Sequence, residues 1–394
     1  MTDAVILVGG RGSRLGNQTL KIPKPLIKIK DKRFLDILLS KLIRYNFKKI
    51  YLLCSYKKKI FFKLYNNKII HNSKIICIDE GSQKDTGGAL FKIRNKIKKN
   101  FFLINGDSFL DINLNSLKKK LKDKIIGVIA LASNKNYKKN KKMNYLDVDK
   151  NHIVKFRKSN FMNGGIYYFS KKIFSYTSNK KISLENDILY NLILTKKIKG
   201  IKCLNRFIDI GTLKNLNFLK KNSNYVKQKA AFLDRDGVIN QLKKNDYIKN
   251  FKEFKFLPGV IKSLKYLSLK DYLIIIITNQ ACVGKSIISE KQLNYIHYKM
   301  RKKIYNTNQV LIDDIYYSPY FKDSKFRRFR LNYYDRKPNP GMFLKAINKW
   351  NISIKDSFFI GDSVSDFDVA NKLNIKFFYN KKRSFLKQIK KITN

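Results

Sequence analysis

Short apolar runs alternate with helical patterns along the whole chain, and this alternation limits the possible folds more than any other feature. Strands that alternate with helices form mostly parallel sheets with helices on both faces. In such sheets, ligands bind on the loops that follow the carboxyl ends of the strands. The predicted strands are Ala4–Val8, Ile50–Cys54, Ile75–Ile78, Phe101–Ile104, Ile125–Leu131, Gly165–Phe169, Ala231–Leu233, Tyr272–Ile277, Ser357–Ile360 and Ile375–Phe378.

A polar segment, Leu219–Lys229, interrupts this alternation and has no clear apolar period. Just after it, a new strand begins and runs into Asp234. A chain of 394 residues is long enough for two domains of ordinary size. We therefore predict an α/β protein with two domains, residues 1–225 and 226–394, each built on a mostly parallel sheet flanked by helices.

The chain is strongly basic: 85 Lys and Arg residues stand against 28 Asp and Glu residues, a formal charge of +57. Basic surfaces suit nucleic acids, because binding releases phosphate counterions. The lysines are nevertheless spread evenly and accompany many Asn, Ile, Phe and Tyr residues, the composition that AT-rich genomes encode. We expect the charge to attract small anionic substrates, and a basic nucleic-acid-binding protein is the alternative.

The positions of the cysteines and the lengths of the apolar runs favour a reducing compartment inside the cell. Cys54, Cys77, Cys203 and Cys282 lie far apart and form no C-x-x-C pair, so neither a zinc knuckle nor a disulfide framework is predicted. A reducing compartment follows. The strongly apolar run Tyr272–Ile277 is too short to cross a bilayer, and no signal-peptide pattern is visible. We expect a cytoplasmic protein without a membrane partner.

The first half contains several turns suited to phosphate binding. The segment Gly9–Gly16 follows the first strand, and its glycines allow backbone N–H groups to approach phosphates. Its spacing departs from the dinucleotide fingerprint, because Leu15 stands where the third glycine should be. Lys24 lies between two prolines that stiffen the chain. Further glycine turns occur at Asp85–Ala89 and Asn163–Gly165.

Two acids of this half stand next to glycines. Asp107 follows a strand in the sequence Asn-Gly-Asp, and Asp209 is followed by Gly211. Magnesium prefers a small number of carboxylates, retained waters and the phosphates of a substrate. The two acids therefore predict a magnesium site.

The ordered motifs G-G-x-G-x-R-L, P-K-P, T-G-G-A, N-G-D, N-x-G and D-x-G-T resemble those of the sugar-phosphate nucleotidyltransferases, which have a Rossmann-like fold. The resemblance implies that a sugar 1-phosphate attacks the α-phosphorus of a nucleoside triphosphate and that pyrophosphate leaves. It implies nucleotide contacts for Gly9, Gly10, Gly12, Arg14 and Gly88, phosphate contacts for Lys24, sugar contacts for Asn163 and Glu185, and Mg²⁺ ligation by Asp107 and Asp209.

Two positions depart from this family. Val8 replaces the usual alanine before the glycine-rich loop. Lys158 and Ser159 stand where the family has a Glu-Lys pair, so a sugar-phosphate contact by Lys158 is left open.

The second half begins with two acids two residues apart, Asp234 and Asp236, at the end of a strand. One such carboxylate can attack phosphorus, and the other can protonate the leaving oxygen and later activate water. Thr278 ends the next apolar strand, and Lys337 precedes a predicted helix. Asp362 follows a further strand and has a second acid four residues later.

This ordered set, Asp, Thr, Lys and Asp, resembles the haloacid dehalogenase-type phosphatases. The resemblance implies that Asp234 is the nucleophile and Asp236 the general acid and base. It also implies that Thr278 and Lys337 bind the phosphoryl group and that Asn279 and Arg336 contact substrate. Mg²⁺ would be held by Asp234, Asp362 and the backbone carbonyl of Asp236.

Three segments, D-R-D-G-V-I-N, T-N-Q and R-K-P-N-P-G-M, resemble most closely the heptose bisphosphate and histidinol phosphate phosphatases. Many of these carry a Cys/His zinc loop, but segment 317–335 contains no Cys and no His, so we predict no zinc. The tip of this loop must then be held another way or be mobile.

The two resemblances together imply consecutive steps of nucleotide-sugar synthesis. The phosphatase would remove the 7-phosphate of a heptose 1,7-bisphosphate. The nucleotidyltransferase would then transfer GMP from GTP to the 1-phosphate, giving a GDP-heptose for surface glycans such as lipopolysaccharide. Four alternatives remain open: the same activities on another sugar with another nucleotide, a histidinol-phosphate-type phosphatase half, a chain in which one half is regulatory, and the basic nucleic-acid-binding protein.

Overall fold

The structure is a computed structural model that describes residues 2–81, 85–122, 124–133, 145–331, 333–380 and 385–393. The chain divides into two compact units, Met1–Val226 and Lys227–Asn394. Both units are α/β, as the sequence predicts. Among the described residues, no helix combines the length and the apolar character needed to cross a membrane.

The first unit contains these strands: β1 (Asp3–Leu7), β2 (Lys28–Ile29), β3 (Lys32–Arg33), β4 (Lys49–Cys54), β5 (Ile69–Ile70), β6 (Ser73–Asp79), β7 (Phe101–Asn105), β8 (Ser108–Leu110), β9 (Gly127–Ser133), β10 (Leu146–Val148), β11 (Val154–Phe156), β12 (Phe161–Phe169), β13 (Ile198–Cys203) and β14 (Phe207–Asp209). Its α-helices are α1 (Phe34–Leu42), α2 (Lys58–Tyr65), α3 (Asp85–Phe91), α4 (Asn115–Lys118), α5 (Tyr190–Leu194) and α6 (Leu213–Lys221).

The main sheet of this unit has the strand order β13-β9-β12-β7-β1-β4-β6-β5. β1 pairs in parallel with β4 and β7, whereas β12 is antiparallel to both of its neighbours. Successive residues of β1 face opposite sides, because a strand has a period of two. Ala4 and Ile6 therefore join one buried cluster and Val5 joins another, so the sheet has a core on each face.

The second unit contains the strands β15 (Ala230–Leu233), β16 (Leu273–Asn279), β17 (Asp314–Ser318), β18 (Phe358–Gly361) and β19 (Lys376–Tyr379). Its helices are α7 (Val260–Leu269), α8 (Ala281–Gly284), α9 (Glu290–Asn308), α10 (Gly341–Trp350), α11 (Val364–Lys372) and α12 (Phe385–Thr393). The strands form a fully parallel sheet in the order β17-β16-β15-β18-β19. The carboxyl ends of β16, β15 and β18 therefore meet at one edge of the sheet.

Side chains of the helices cover both faces of this sheet. Val260 on α7 and Leu293 on α9 share a buried cluster with Leu233 of the central strand. On the opposite face, the Phe343 ring of α10 lies 5.0 Å from the Phe232 ring, measured between centroids. The apolar run of the central strands is thus buried from both sides, as parallel sheets require.

Candidate active sites

The first unit has a cavity of about 1010 Å³ beside the carboxyl ends of β1 and β7. Its wall includes three cations and four acids, namely Arg14, Lys24, Lys181, Glu80, Asp85, Asp107 and Glu185. Its lining also includes Leu7, Val8, Gly9, Gly10, Pro25, Thr86, Ala89, Asn105, Ser183 and Asn186. A cavity of this size and mixed charge can hold a nucleotide together with a second anionic substrate.

The loop after β1 approaches the cavity through its glycines. A Cβ atom on Gly9 would lie 2.6 Å from Oε2 of Glu80, so a larger residue would displace this acid. Gly12 has a φ of 69°, the left-handed conformation that glycine adopts without strain, and the short 3-10 helix Ser13–Thr19 begins after it. This turn brings Arg14 to the cavity wall.

Lys24 and Asp107 form an ion pair at the base of the cavity. Burial by itself raises the pKa of Asp107, but the Lys24 ammonium and the Ser108 hydroxyl hold it below its usual value. Asp209 lies beside Asp107, because β14 pairs with β8 and the Ile210 N–H donates to the Asp107 carbonyl at 2.9 Å. Burial and the charge of Asp107 raise the pKa of Asp209.

These two acids stand 102 positions apart in the sequence, yet they form a pair of oxygen donors with mutual repulsion. Such a pair fits a hard divalent cation, which relieves the repulsion. The donor set is therefore suitable for Mg²⁺.

Glu185 also lines the cavity and accepts a hydrogen bond of 2.9 Å from the Thr86 hydroxyl. Burial raises the pKa of Glu185. The backbone N–H of Leu184 donates to the same Thr86 hydroxyl, which ties the turn before α5 to the start of α3.

Some residues predicted for this site lie away from the cavity lining. Gly88 is buried in α3, and its N–H donates to the Ile182 carbonyl at 3.3 Å. The Asn163 amide is bonded to the Tyr167 hydroxyl at 2.7 Å. Gly12 and Asp209 are likewise outside the lining residues, although Gly12 shapes the loop and Asp209 pairs with Ser108, the residue after Asp107. Lys158 lines a separate groove with Tyr145, Phe156, Arg157 and Tyr190.

Two charged residues of the cavity, Glu80 and Lys181, were missed by the sequence analysis. Glu80 follows β6, and it reaches the cavity because β6 lies beside β4 in the sheet. It is 7% exposed, and no described residue donates a hydrogen bond to its carboxylate. Burial raises the pKa of Glu80 to about 7. Lys181 is an exposed cation on the Glu185 side and forms no ion pair with a described residue.

The second unit gathers three acids at the carboxyl end of its sheet. Asp234, Asp362 and Asp366 each place a carboxylate oxygen within 4.8 Å of the others. The Lys337 Nζ atom lies 2.8 Å from Oδ1 of Asp234 and 2.5 Å from Oδ1 of Asp366. All of these groups except Asp362 are buried.

The charges in this cluster compete. Burial, together with the Asp366 carboxylate, raises the pKa of Asp234 to about 7 in spite of Lys337. Burial and Asp366 also raise the pKa of Asp362. Gly237 has a φ of 81°, and a Cβ atom there would lie 1.7 Å from Oδ2 of Asp362. The absence of a side chain at Gly237 therefore makes room for the third carboxylate.

This acid cluster has more negative than positive charge and offers oxygen donors only, the chemistry that Mg²⁺ prefers. Its residues therefore fit a magnesium ion. The Asp236 side chain turns away from the cluster, toward Arg235 and Gln280. Burial by itself raises the pKa of Asp236, but the Arg235 charge and the hydrogen bonds from Asn240, Arg235 and Gln280 hold it below its usual value.

The remaining predicted residues of this unit surround the cluster. Thr278 is buried at the end of β16, and its hydroxyl accepts a hydrogen bond of 3.0 Å from Gln280. Asn279 holds the backbone of Lys337 by two hydrogen bonds. Its Nδ2 atom donates to the Lys337 carbonyl at 3.0 Å, and its Oδ1 atom accepts from the Lys337 N–H at 3.1 Å. The buried Nη1 atom of Arg336 has no described hydrogen-bond partner, so it can serve an incoming anion.

The segment 317–335 is held by aromatic packing. Phe329 is buried, and its ring centroid lies 6.1 Å from that of Phe326. The Arg328 guanidinium lies over the Phe329 ring, 4.6 Å from its centroid. The Phe321 N–H also donates to the Phe329 carbonyl at 3.0 Å. Among the described residues, these contacts hold the loop around Phe329 in place.

Comparison with known proteins identifies both units. The nucleotidyl transferase family matches residues 3–226, and the polynucleotide kinase 3 phosphatase family matches residues 229–389. The chain therefore belongs to the nucleotidyl transferase family and carries a haloacid dehalogenase-like phosphatase unit after it. Both resemblances predicted from the sequence are confirmed.

The particular families follow from curated relatives. The D-glycero-β-D-manno-heptose-1,7-bisphosphate 7-phosphatase of Rhodopseudomonas palustris is 35% identical over 150 residues, which is 38% of this chain and 81% of the relative. The D-glycero-α-D-manno-heptose 1-phosphate guanylyltransferase of Campylobacter jejuni is 33% identical over 218 residues, 53% of this chain and 94% of the relative. The chain thus joins members of these two families in one polypeptide.

A solved structure is also similar to the second unit. The D,D-heptose 1.7-bisphosphate phosphatase from B. bronchiseptica, complexed with magnesium and phosphate, is 26% identical. The match covers 41% of this chain and 87% of that protein, with a TM-score of 0.35.

Proposed function

We propose that the chain is a bifunctional enzyme of nucleotide-activated heptose synthesis. Its second unit removes the 7-phosphate of a heptose 1,7-bisphosphate, and its first unit transfers GMP from GTP to the heptose 1-phosphate. The observation that carries this proposal is the convergence of Asp234, Lys337 and Asp362, in a chain whose other unit brings Lys24 and Asp107 to a nucleotide-sized cavity. The names of the relatives support the substrates.

In the phosphatase unit, Asp234 is placed to attack phosphorus, since its carboxylate lies at the strand end where β15 opens toward substrate. A bond forms between Asp234 and phosphorus while the bond from phosphorus to the sugar oxygen breaks, and the leaving oxygen takes a proton from Asp236. In the second step, Asp236 takes a proton from the water that attacks the aspartyl-phosphate, and inorganic phosphate leaves. Lys337 and Thr278 hold the phosphoryl oxygens.

Asp234, Asp362 and the backbone carbonyl of Asp236 would hold Mg²⁺ in this unit, and Asp107 and Asp209 would hold it in the first. Bound there, the ion would neutralise phosphate charge and reduce its repulsion from the carboxylates. Asp366 stabilises Lys337 through their ion pair.

In the nucleotidyltransferase unit, the protein positions two anions and compensates their charge. Arg14 and the N–H groups of the Gly9–Gly12 loop face the triphosphate, and Lys24 faces the reacting phosphate. Lys181 is placed to meet the sugar phosphate on the Glu185 side. The sugar phosphate oxygen forms a bond to the α-phosphorus while the bond to pyrophosphate breaks, and no protein nucleophile takes part.

Guanine as the base is supported by Glu80. A carboxylate can accept two hydrogen bonds at once from the N1–H and the N2 amino group of guanine, whereas adenine and cytosine do not offer this pair of adjacent donors. Glu80 lies in the cavity with no described donor of its own. Its partly buried position is where a base would supply the missing hydrogen bonds.

The proposal is tested with the purified chain, Mg²⁺ and defined substrates. Phosphate release from heptose 1,7-bisphosphate should disappear in Asp234→Asn, whereas pyrophosphate release from GTP and heptose 1-phosphate should remain. Asp107→Asn should give the opposite pattern, so each variant is the control for the other. Phosphate release that is equal in wild type and Asp234→Asn would remove the nucleophile assignment.

A matrix of nucleoside triphosphates against sugar phosphates, read by pyrophosphate release, distinguishes heptose and GTP from other pairs. A salt-sensitive gel shift at physiological salt, without any pyrophosphate release, would favour the nucleic-acid alternative. The cytoplasmic location and the division into domains at residues 1–225 and 226–394 stay predictions.

A further inference from the structure

Arg235, which stands between the two acids of the phosphatase motif, is buried to an unusual degree. Arg235 is only 1% exposed, although it lies on the loop that follows β15 at the edge of the sheet. A guanidinium has five N–H donors and cannot lose its charge, so burial is tolerated only where acceptors surround it. The identity of these acceptors shows what the residue does.

One edge of the guanidinium holds the Asp236 carboxylate. The Nη2 atom donates to Oδ2 of Asp236 at 2.9 Å and to its Oδ1 at 3.1 Å. The same Nη2 atom donates to Oε1 of Gln280 at 2.9 Å, and Nε2 of Gln280 donates back to Oδ2 of Asp236 at 2.7 Å. Asn240 completes the set, since its Nδ2 atom donates to Oδ1 of Asp236 at 2.8 Å.

The other edge of the guanidinium meets a histidine that belongs to no motif. The Nη1 atom lies 3.1 Å from Nε2 of His297, which stands on α9, 62 positions away along the chain. His297 is 5% exposed, and its ring packs against the Tyr317 ring with centroids 5.7 Å apart. Burial and the charge of Arg235 lower the pKa of His297 to about 3, so the ring is neutral and Nε2 accepts the hydrogen bond.

We propose that His297 is a positioning residue of the phosphatase, which anchors Arg235 so that its guanidinium holds the Asp236 carboxylate in the orientation needed for proton transfer. This inference rests on the proposed phosphatase activity. His297 does not touch the reacting atoms and acts only through Arg235. Without it, Nη1 loses its acceptor, and the guanidinium can rotate about its side-chain bonds and carry Asp236 with it.

The role predicts a dependence on the leaving group. A sugar alkoxide is a poor leaving group and needs the proton of Asp236, whereas p-nitrophenolate leaves without one. Misorientation of Asp236 should therefore slow the aspartyl-phosphate step with alkyl phosphates more than with p-nitrophenyl phosphate. The ratio kcat/KM reports formation of the aspartyl-phosphate, because it includes only the steps up to the first irreversible release of a product.

The test compares three variants of the full chain. His297→Leu removes the acceptor and keeps a similar volume, His297→Gln offers an amide oxygen in its place, and Ile296→Val is a control at a neighbouring buried position outside the network. General acid catalysis contributes about 10²–10⁴-fold, so His297→Leu should lose about tenfold or more in kcat/KM with heptose 1,7-bisphosphate or glycerol phosphate. It should change by less than about threefold with p-nitrophenyl phosphate. His297→Gln should recover most of the loss.

A second readout does not depend on activity. In the chain labelled with [¹⁵N]arginine, the guanidinium signals of Arg235, assigned through Arg235→Lys, should change in His297→Leu and return in His297→Gln. They should be unchanged in Ile296→Val.

Equal loss with both classes of substrate, no loss with either, or unchanged Arg235 signals in His297→Leu would overturn the inference. A wild-type chain that hydrolyses none of these phosphates would refute the proposed phosphatase function instead, while the arginine signals would still decide whether His297 anchors Arg235.

Discussion

Replacing Glu80 by Gln should make the first unit more stable and less selective for guanine. The substitution keeps the size of the side chain and removes its charge. Glu80 is 7% exposed, and burial raises its pKa from 4.5 to about 7. The carboxylate therefore costs free energy in the folded state at neutral pH, a cost that guanine binding would offset.

The stability change has a defined sign. Since the folded-state pKa is raised, the stability that this group contributes is fully present below pH 4.5 and is lost as pH rises through about 7. A shift of this size corresponds to about 3 kcal/mol, at 1.36 kcal/mol per pKa unit. Glu80→Gln should therefore raise the free energy of unfolding of the first unit by up to about 3 kcal/mol at pH 8, with little change at pH 4.

The effect on activity follows from the hydrogen bonds. A hydrogen bond to a charged group contributes about 1.5–3 kcal/mol, which corresponds to about 10- to 150-fold in rate. Gln retains one acceptor and turns an N–H group toward a guanine donor, so kcat/KM for GTP should fall by about this factor. ITP lacks the N2 amino group, so the variant should discriminate less between GTP and ITP than wild type does.

Pyrophosphate release with GTP, ITP and ATP, together with chemical unfolding at pH 4 and pH 8, measures both effects. Unchanged discrimination between GTP and ITP would refute the assignment of Glu80 to the base. A stability gain that is equal at the two pH values would refute the electrostatic reasoning.

Three substitutions and one metal-removal experiment test the second unit. Asp234→Asn should lower phosphate release by about 10⁴-fold or more while pyrophosphate release stays within twofold, because it removes the attacking atom; retention of phosphatase activity would contradict this. Lys337→Met should destabilise the second unit by about 3–5 kcal/mol, since Asp234 and Asp366 would be left as unpaired buried charges, and a melting temperature equal to that of wild type would contradict it. Phe329→Ala should lower the local stability of the segment around Phe329 by about 3–5 kcal/mol, which should appear as faster proteolysis there. In a separate test, a zinc-selective chelator should leave phosphate release unchanged, whereas EDTA should abolish it.

Much of the fold follows from local patterns in the sequence. Apolar runs such as Tyr272–Ile277 are short, β-branched and bounded by turn residues, and the structure places the strand Leu273–Asn279 there. Strand β13 (Ile198–Cys203) was missed, because Lys and Gly interrupt its apolar pattern. The edge strand β17 (Asp314–Ser318) was missed because it begins with an acid and is only partly buried. Part of β12 was predicted as Gly165–Phe169, but its antiparallel direction depends on its neighbours and has no local signal.

The sites divide in a similar way. Acids at strand ends were predictable, since parallel strands bring their carboxyl ends to one edge, as with Asp234 and Asp362. Glu80 carries no motif, and its place depends on the order of β1, β4 and β6 in the sheet. His297 belongs to no sequence motif, and its contact with Arg235 depends on the packing of α9. A contact between residues 62 positions apart, such as Arg235 and His297, cannot be predicted from the local spacing of residues.

The aromatic contacts that hold the loop around Phe329 have a consequence for the conditions under which the enzyme can work. A loop held by ring packing would need no metal during biosynthesis, and the sequence of segment 317–335 contains no Cys and no His that could react with peroxide or bind competing metals. The four cysteines of the chain are all buried. We therefore expect the hydrolytic half to keep its rate in cells that are starved of zinc or exposed to oxidants.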